Sequence, residues 1–108
     1  MKRNVKTIAI TTMLLAAATL TAADKVTFED DILPIFRNKC LNCHNQEKMR
    51  ADLDLSTYEA TMLGSGNGPV LAGGDPGESL LYKVVAHLEK PTMPPKDELP
   101  DSEIELIK

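Results

Sequence analysis

Cys40, Leu41, Asn42, Cys43 and His44 are the residues of this 108-residue chain whose types and spacing most plainly do chemistry. Two thiols three positions apart with a histidine directly after the second read as a site for covalent c-type haem attachment. Each sulfur adds across one haem vinyl group, and two intervening residues let one tight turn present both sulfurs to a single porphyrin edge. His44 then lies under the ring and offers a neutral imidazole nitrogen to the iron. These are the only cysteines in the chain, so none remains for another purpose.

Other chemistries meet obstacles. A thioredoxin-like pair needs a βαβ pattern, and the chain has no convincing strand run. A structural zinc site wants four ligands, and the other histidine, His87, leaves the set incomplete. A plain Cys40–Cys43 disulfide stapling a haem-free interaction module is the remaining alternative. The glycines at 64, 66 and 68 invite a phosphate-loop reading, but the preceding strand and the following Lys and Ser/Thr are missing. Chain reversal is the better account of them.

A haem iron held by one histidine needs a second axial ligand if it is to carry electrons rather than bind substrate. Lys90, Pro91, Thr92, Met93, Pro94, Pro95 and Lys96 supply a candidate. Flanking prolines brace Met93 in an extended loop, which holds a thioether in place at little ordering cost. Met49 and Met62 are rivals, the first very near His44 in sequence and the second in a short helix where packing is the default role. His87 reads as a surface residue. Without the sixth ligand, the iron would be five-coordinate and the chain a haem sensor or a haem-enzyme module.

Residues 1–23 read as an export signal. Lys2, Arg3 and Lys6 precede an apolar run from Ile8 to Leu20, and Thr21, Ala22 and Ala23 form a small-residue cleavage site. The run is short for a membrane span, which takes about 20 residues, so cleavage without stable membrane insertion is expected. The expected location is extracytoplasmic or periplasmic, where covalent haem attachment takes place. Removal of this segment lowers the basic count from 12 to 9 against 16 acidic residues, a formal charge of −7. Such a balance argues against nucleic acid as a partner and favours a redox protein with a basic docking face.

The elements that must position the site are helical. Thr27 to Phe36 reads as a helix capped by Thr27 with Asp30, interrupted at Pro34, with Phe28, Ile32, Ile35 and Phe36 on one face toward haem and the last helix. Asn45 to Asp52 reads as a solvated loop, and Leu53 and Leu55 point one way from an extended turn. Ser56 with Glu59 suggests a capping box for a helix ending near Leu63 and Gly64. Asp75, Pro76 and Glu78 suggest another helix start, carrying Leu80, Leu81, Val84, Val85 and Leu88 on one face. Pro100 to Glu103 open a last helix that reaches Lys108 after about two turns and reads as truncated. With two Phe, two Tyr and no Trp, a domain of 24–108 is short of core material, and a covalent haem would act as its staple.

The ordered set of these residues resembles the planctomycete-type cytochrome c domain within the class I c-type cytochromes. The resemblance runs from Phe28 to Lys108. It rests on Ile32, Leu33, Pro34, Ile35 and Phe36, on Cys40 to His44, on Leu53, Asp54 and Leu55, on Gly74, Asp75 and Pro76 with Ser79, Leu80 and Leu81, on Met93, Pro94 and Pro95, and on Glu103 and Ile104. It implies an all-α fold with first and last helices crossing beside one haem c, His44 and Met93 as axial ligands, and one-electron transfer without catalytic residues. Relatives often place this domain at the N-terminus of a larger exported protein, so the electron partner is expected to be either a separate protein or a downstream domain of the same chain.

Overall fold

A computed structural model describes residues 25–108, with Ala16 alone before them. The expected export signal therefore lies outside the described residues. No helix among the described residues is long and apolar enough to cross a membrane.

The described chain is helical and has no strand, only two isolated bridges at His44–Met49 and Ser65–Gly68. Four short α-helices carry it: α1 (Leu33–Lys39), α2 (Tyr58–Leu63), α3 (Leu80–Val85) and α4 (Asp101–Ile107). The all-α expectation holds, with several local corrections.

The helix expected from Thr27 to Phe36 is two pieces. A π-helical turn, Phe28–Ile32, leads into α1, and Pro34 sits in the first turn of α1, where its missing N–H would have had no intrahelical partner. Thr27 caps the entry as expected, its Oγ1 accepting from Asp30 N at 3.3 Å. The reciprocal carboxylate is Asp31, which takes the Thr27 N–H at 2.8 Å. The wide π turn brings the fourth residue after Thr27, instead of the third, back over the cap.

Two further starts move along the chain. Thr57, not Ser56, caps α2, accepting from Ala60 N at 3.1 Å; Ser56 N is instead taken by Asp54 Oδ1 in a local turn. Pro76–Glu78 form a single 3-10 turn preceded by Asp75 as its cap, and α3 begins only after Ser79. Ser79 is buried and its hydroxyl explains the delay, accepting from Ala72 N at 2.8 Å and lying 3.0 Å from the Ala72 and Asp75 carbonyls. Leu88 does not extend the apolar face of α3. The helix ends at Val85, His87 reverses the chain with φ of 58°, and Leu88 is left 69% exposed.

The core is two clusters sharing one bridging residue. Phe36, Leu53, Leu55, Val70 and Leu81 form the first, with Phe28 meeting Phe36 edge-on at 5.9 Å. Ile35, Val84, Val85 and Leu99 form the second, with Met93 and Ile104 packed on it. Ile107 of α4 touches both, so the last helix packs against the N-terminal elements as the resemblance implies.

Candidate functional site

The turn carrying the two thiols grows directly from the end of α1. Cys40 N and Leu41 N both donate to Phe36 O at 2.8 Å, and the Cys40 carbonyl then takes Cys43 N and His44 N at 3.2 Å. This tight reversal places Cys40, Cys43 and His44 on one wall of a cavity of about 200 Å³. Met93 lies in the wall of the same cavity, together with Leu53, Leu55, Val70, Val84 and Val85. The four side chains expected to hold haem thus line one cavity, although Met93 lies 49 positions after His44 in sequence.

The segment after His44 is more structured than a solvated loop. Asn45 bonds Leu41 O through its side-chain amide, and its carbonyl oxygen gathers the N–H groups of Glu47 and Lys48. That turn sends the chain back, so Arg50 N reaches Cys43 O at 3.0 Å. A 3-10 turn follows, Arg50–Asp52, with Ala51 and Asp52 at φ of 58° and 55°. Arg50 O consequently lies 3.0 Å from His44 Nδ1. A nitrogen facing a carbonyl must carry the proton, so Nδ1 donates and Nε2 keeps its lone pair for a metal. Leu55 N also holds His44 O at 3.0 Å, fixing the residue from its other side.

Met93 is positioned by α3. Its N–H donates to Val84 O at 3.0 Å, and its side chain packs with Ile35, Val84, Val85 and Leu99. Met49 and Met62 are 45% and 44% exposed and neither lines this cavity. His87 is also absent from it, pairing with Glu98 at the surface. Phe28, Ile32, Ile35 and Phe36, the face expected toward haem and the last helix, meet the last helix through Ile107 and line no part of the donor cavity. Phe28, Ile32 and Phe36 face a separate cavity of about 440 Å³ bounded by α2 and the end of α4. A helical period shows which residues share a face, not which of two cavities that face meets.

Burial, and secondarily the charge of Glu103, pushes the Cys40 thiol up to about 11. Glu103 reaches this region from α4, and one of its carboxylate oxygens is buried without a hydrogen-bond partner. Beside it, Lys39 pairs with Asp97, tying the residue before the first thiol to the segment after the Met93 loop. That pair holds the Asp97 carboxyl below its usual range, chiefly through the Lys39 hydrogen bond, and raises Lys39 through the same bond.

Both shifts have a testable sign. Asp97 adds stability above its unfolded pKa of about 3.9 that disappears as pH falls through its lowered folded value; Lys39 adds stability below about 10.4 that disappears as pH rises through its raised one. Asp97→Asn should therefore lower the urea midpoint between these limits and match the parent in strong acid. Salt should shrink the difference, since both groups are exposed. A midpoint difference unchanged by salt and acid would show that the pair is not the cause.

The donor set suits one group. Two thiols on one turn, an imidazole with a free Nε2 and a thioether, walled by Leu and Val, fit a flat apolar ring with a metal at its centre. The charged residues lining the cavity, Lys39 and Arg50, are both cationic, the sign that suits carboxylate substituents.

This geometry defines the class of protein as a small helical cytochrome c domain. The profile of the family described as planctomycete cytochrome C matches residues 40–97, more than half of the chain, and the chain belongs to that family. Cytochrome c domains work by haem-based electron transfer. No curated protein and no solved structure gives a significant match.

Signals missed in the sequence are those made by backbone atoms or by distant pairing. Arg50 acts through its carbonyl, which carries no residue-type signature. Lys39 and Asp97 are 58 positions apart.

Proposed function

We propose that this chain is an exported monohaem c-type cytochrome domain that carries single electrons through iron ligated by His44 and Met93. The observation that carries the reading is that Met93, 49 positions after His44, lines one apolar cavity with Cys40, Cys43 and His44. When bound, haem supplies a one-electron Fe(II)/Fe(III) couple. The rest is done by the chain. Cys40 and Cys43 would tether the group by thioethers, His44 and Met93 would ligate the metal, and the Leu and Val wall would keep water from it. A His/Met pair raises the potential relative to ligation without a thioether. Such ligation would leave the metal no site for substrate, so no residue is assigned a catalytic role. The electron partner is a separate redox protein or a further domain of the same chain.

The reading is tested by mass spectrometry of protein produced together with the cytochrome maturation machinery. One covalent haem per chain is expected, resistant to acid extraction, with none retained in Cys40→Ala/Cys43→Ala. A parent chain that carries no haem mass and lacks the two thiol hydrogens, with Cys40 joined to Cys43, would establish the disulfide-stapled module instead.

A further inference from the structure

We propose that Gly66 is a positioning residue for His44: its N–H holds the turn whose Arg50 carbonyl fixes the His44 tautomer. The inference rests on the haem reading above and concerns residues that reading leaves unused. The run from Gly64 to Gly68 is a closed turn, with Ser65 N on Gly68 O at 2.9 Å and Gly68 N on Ser65 O at 3.0 Å. Ser65 lines the donor cavity, so this turn is seated against the site. Its tip points one donor outward, Gly66 N, which bonds Ala51 O at 2.9 Å.

Ala51 is the residue most in need of an anchor. It and Asp52 are consecutive non-glycine residues in the left-handed region, at φ of 58° and 55°, a conformation that persists only where neighbours impose it. Inside that turn Arg50 O receives Leu53 N at 3.2 Å and His44 Nδ1 at 3.0 Å. The Gly66 bond to Ala51 O is the contact that ties the turn to the rest of the fold at its strained position. Close approach is also why glycine stands here: a Cβ at 66 would come within 2.5 Å of Asp52 Oδ2, and one at 64 within 2.4 Å of Gly68 O and 2.7 Å of Pro69 Cα. At 64 the obstacle is backbone, so glycine is required. At 66 it is the movable end of a carboxylate, which makes 66 the position for an experiment.

Releasing Ala51 lets the turn relax and draws Arg50 O away from Nδ1. The imidazole becomes a weaker donor to the metal, the oxidised form loses support, and the potential rises. Gly66→Pro and Gly66→Ala place the same Cβ against Asp52, and only the first removes the N–H. Proline suits the second position of a four-residue turn, so the turn's own bonds survive.

In Gly66→Pro the reduced-to-oxidised ratio at fixed ambient potential should rise roughly threefold to tenfold, tenfold being 59 mV for a one-electron couple. Solvent exchange of His44 Nδ1–H, followed by NMR in the reduced protein, should quicken at least tenfold. Gly66→Ala should stay within a factor of two of the parent in both. Equal behaviour of the two variants overturns the inference. If Gly66→Pro does not fold, the parent decides: the Gly66 amide must be protected from hydrogen exchange and open together with His44 Nδ1–H, and free exchange of that amide beside a protected Nδ1–H sinks it. A parent without covalent haem would defeat the haem reading instead; the 15N tautomer of His44 in that protein still reports whether Gly66→Pro alone frees Nδ1.

Discussion

Met93→Ala should abolish the far-red charge-transfer band of the ferric protein and turn a sluggish carbon monoxide binder into a fast one. The expectation follows from where the thioethers are. Met93 is anchored by its N–H on Val84 O and lines the cavity that holds His44, whereas Met49 and Met62 are nearly half exposed and line none of it. No other described methionine can take over the vacated position without a rearrangement of its loop or helix. Loss of sulfur ligation also removes the term that raises the potential, so the oxidised form should gain at least tenfold over the reduced form at fixed ambient potential. Covalent haem should stay, because Cys40 and Cys43 are untouched. A band that survives in Met93→Ala excludes Met93 as the ligand. A parent that lacks the band and binds carbon monoxide quickly is five-coordinate, which favours a sensor or enzyme module over an electron carrier.

On the proposed ligation, this prediction and the Gly66 experiment act on the two different ligands and should move the potential in opposite directions. Removing the thioether should lower it; loosening the carbonyl that supports the imidazole should raise it. Each of the two residues is held by backbone from an element other than its own, Met93 by α3 and His44 by the Arg50–Asp52 turn. What positions them is therefore hydrogen bonding that side-chain identities do not reveal.

The same distinction explains what could be read from the sequence. The thiol spacing, the adjacent histidine and the proline-braced methionine are residue-type signals, and the structure gathers those side chains into one cavity. Helix starts were legible to within a few residues because Ser, Thr and Asp near an apolar run compete for the same N–H groups. Thr57 displaced Ser56 because Asp54 had already claimed the Ser56 N–H, and Ser79 displaced Asp75 because its hydroxyl serves the Ala72 segment seven residues back. Neither contest is visible in a local window. Leu88 was misplaced for another reason: six residues of correct periodicity give no warning that His87 will take a left-handed conformation and turn the chain outward. The apolar stripe before the thiols says that a face is buried and not everything that buries it: the last helix meets it through Ile107, as expected, and the cavity it borders is a second one.

That stripe nevertheless carries the largest stability effect expected in the chain. Phe36 is 1% exposed and the largest fully buried side chain, packed among Leu53, Leu55, Val70 and Leu81 and against the edge of Phe28. Phe36→Ala should cost about 3–5 kcal/mol, from lost transfer energy and a cavity that short, separately capped helices can only partly close. At roughly 0.05–0.15 kcal/mol per residue, a domain of this length holds about 4–13 kcal/mol in total, so the substitution removes a large share of it. Leu63→Ala, at a residue 81% exposed, should move the urea midpoint by no more than about 0.5 kcal/mol equivalent. The consequence reaches the site through four shared residues. Phe36 O anchors both Cys40 N and Leu41 N, and Leu53, Leu55, Val70 and Leu81 belong at once to the Phe36 cluster and to the wall of the donor cavity. Covalent haem yield in Phe36→Ala should therefore fall along with stability, whereas Leu63→Ala should leave both at parental values. Full haem yield with an unchanged midpoint in Phe36→Ala would mean that the Phe36 cluster neither carries this stability nor is coupled to the donor cavity.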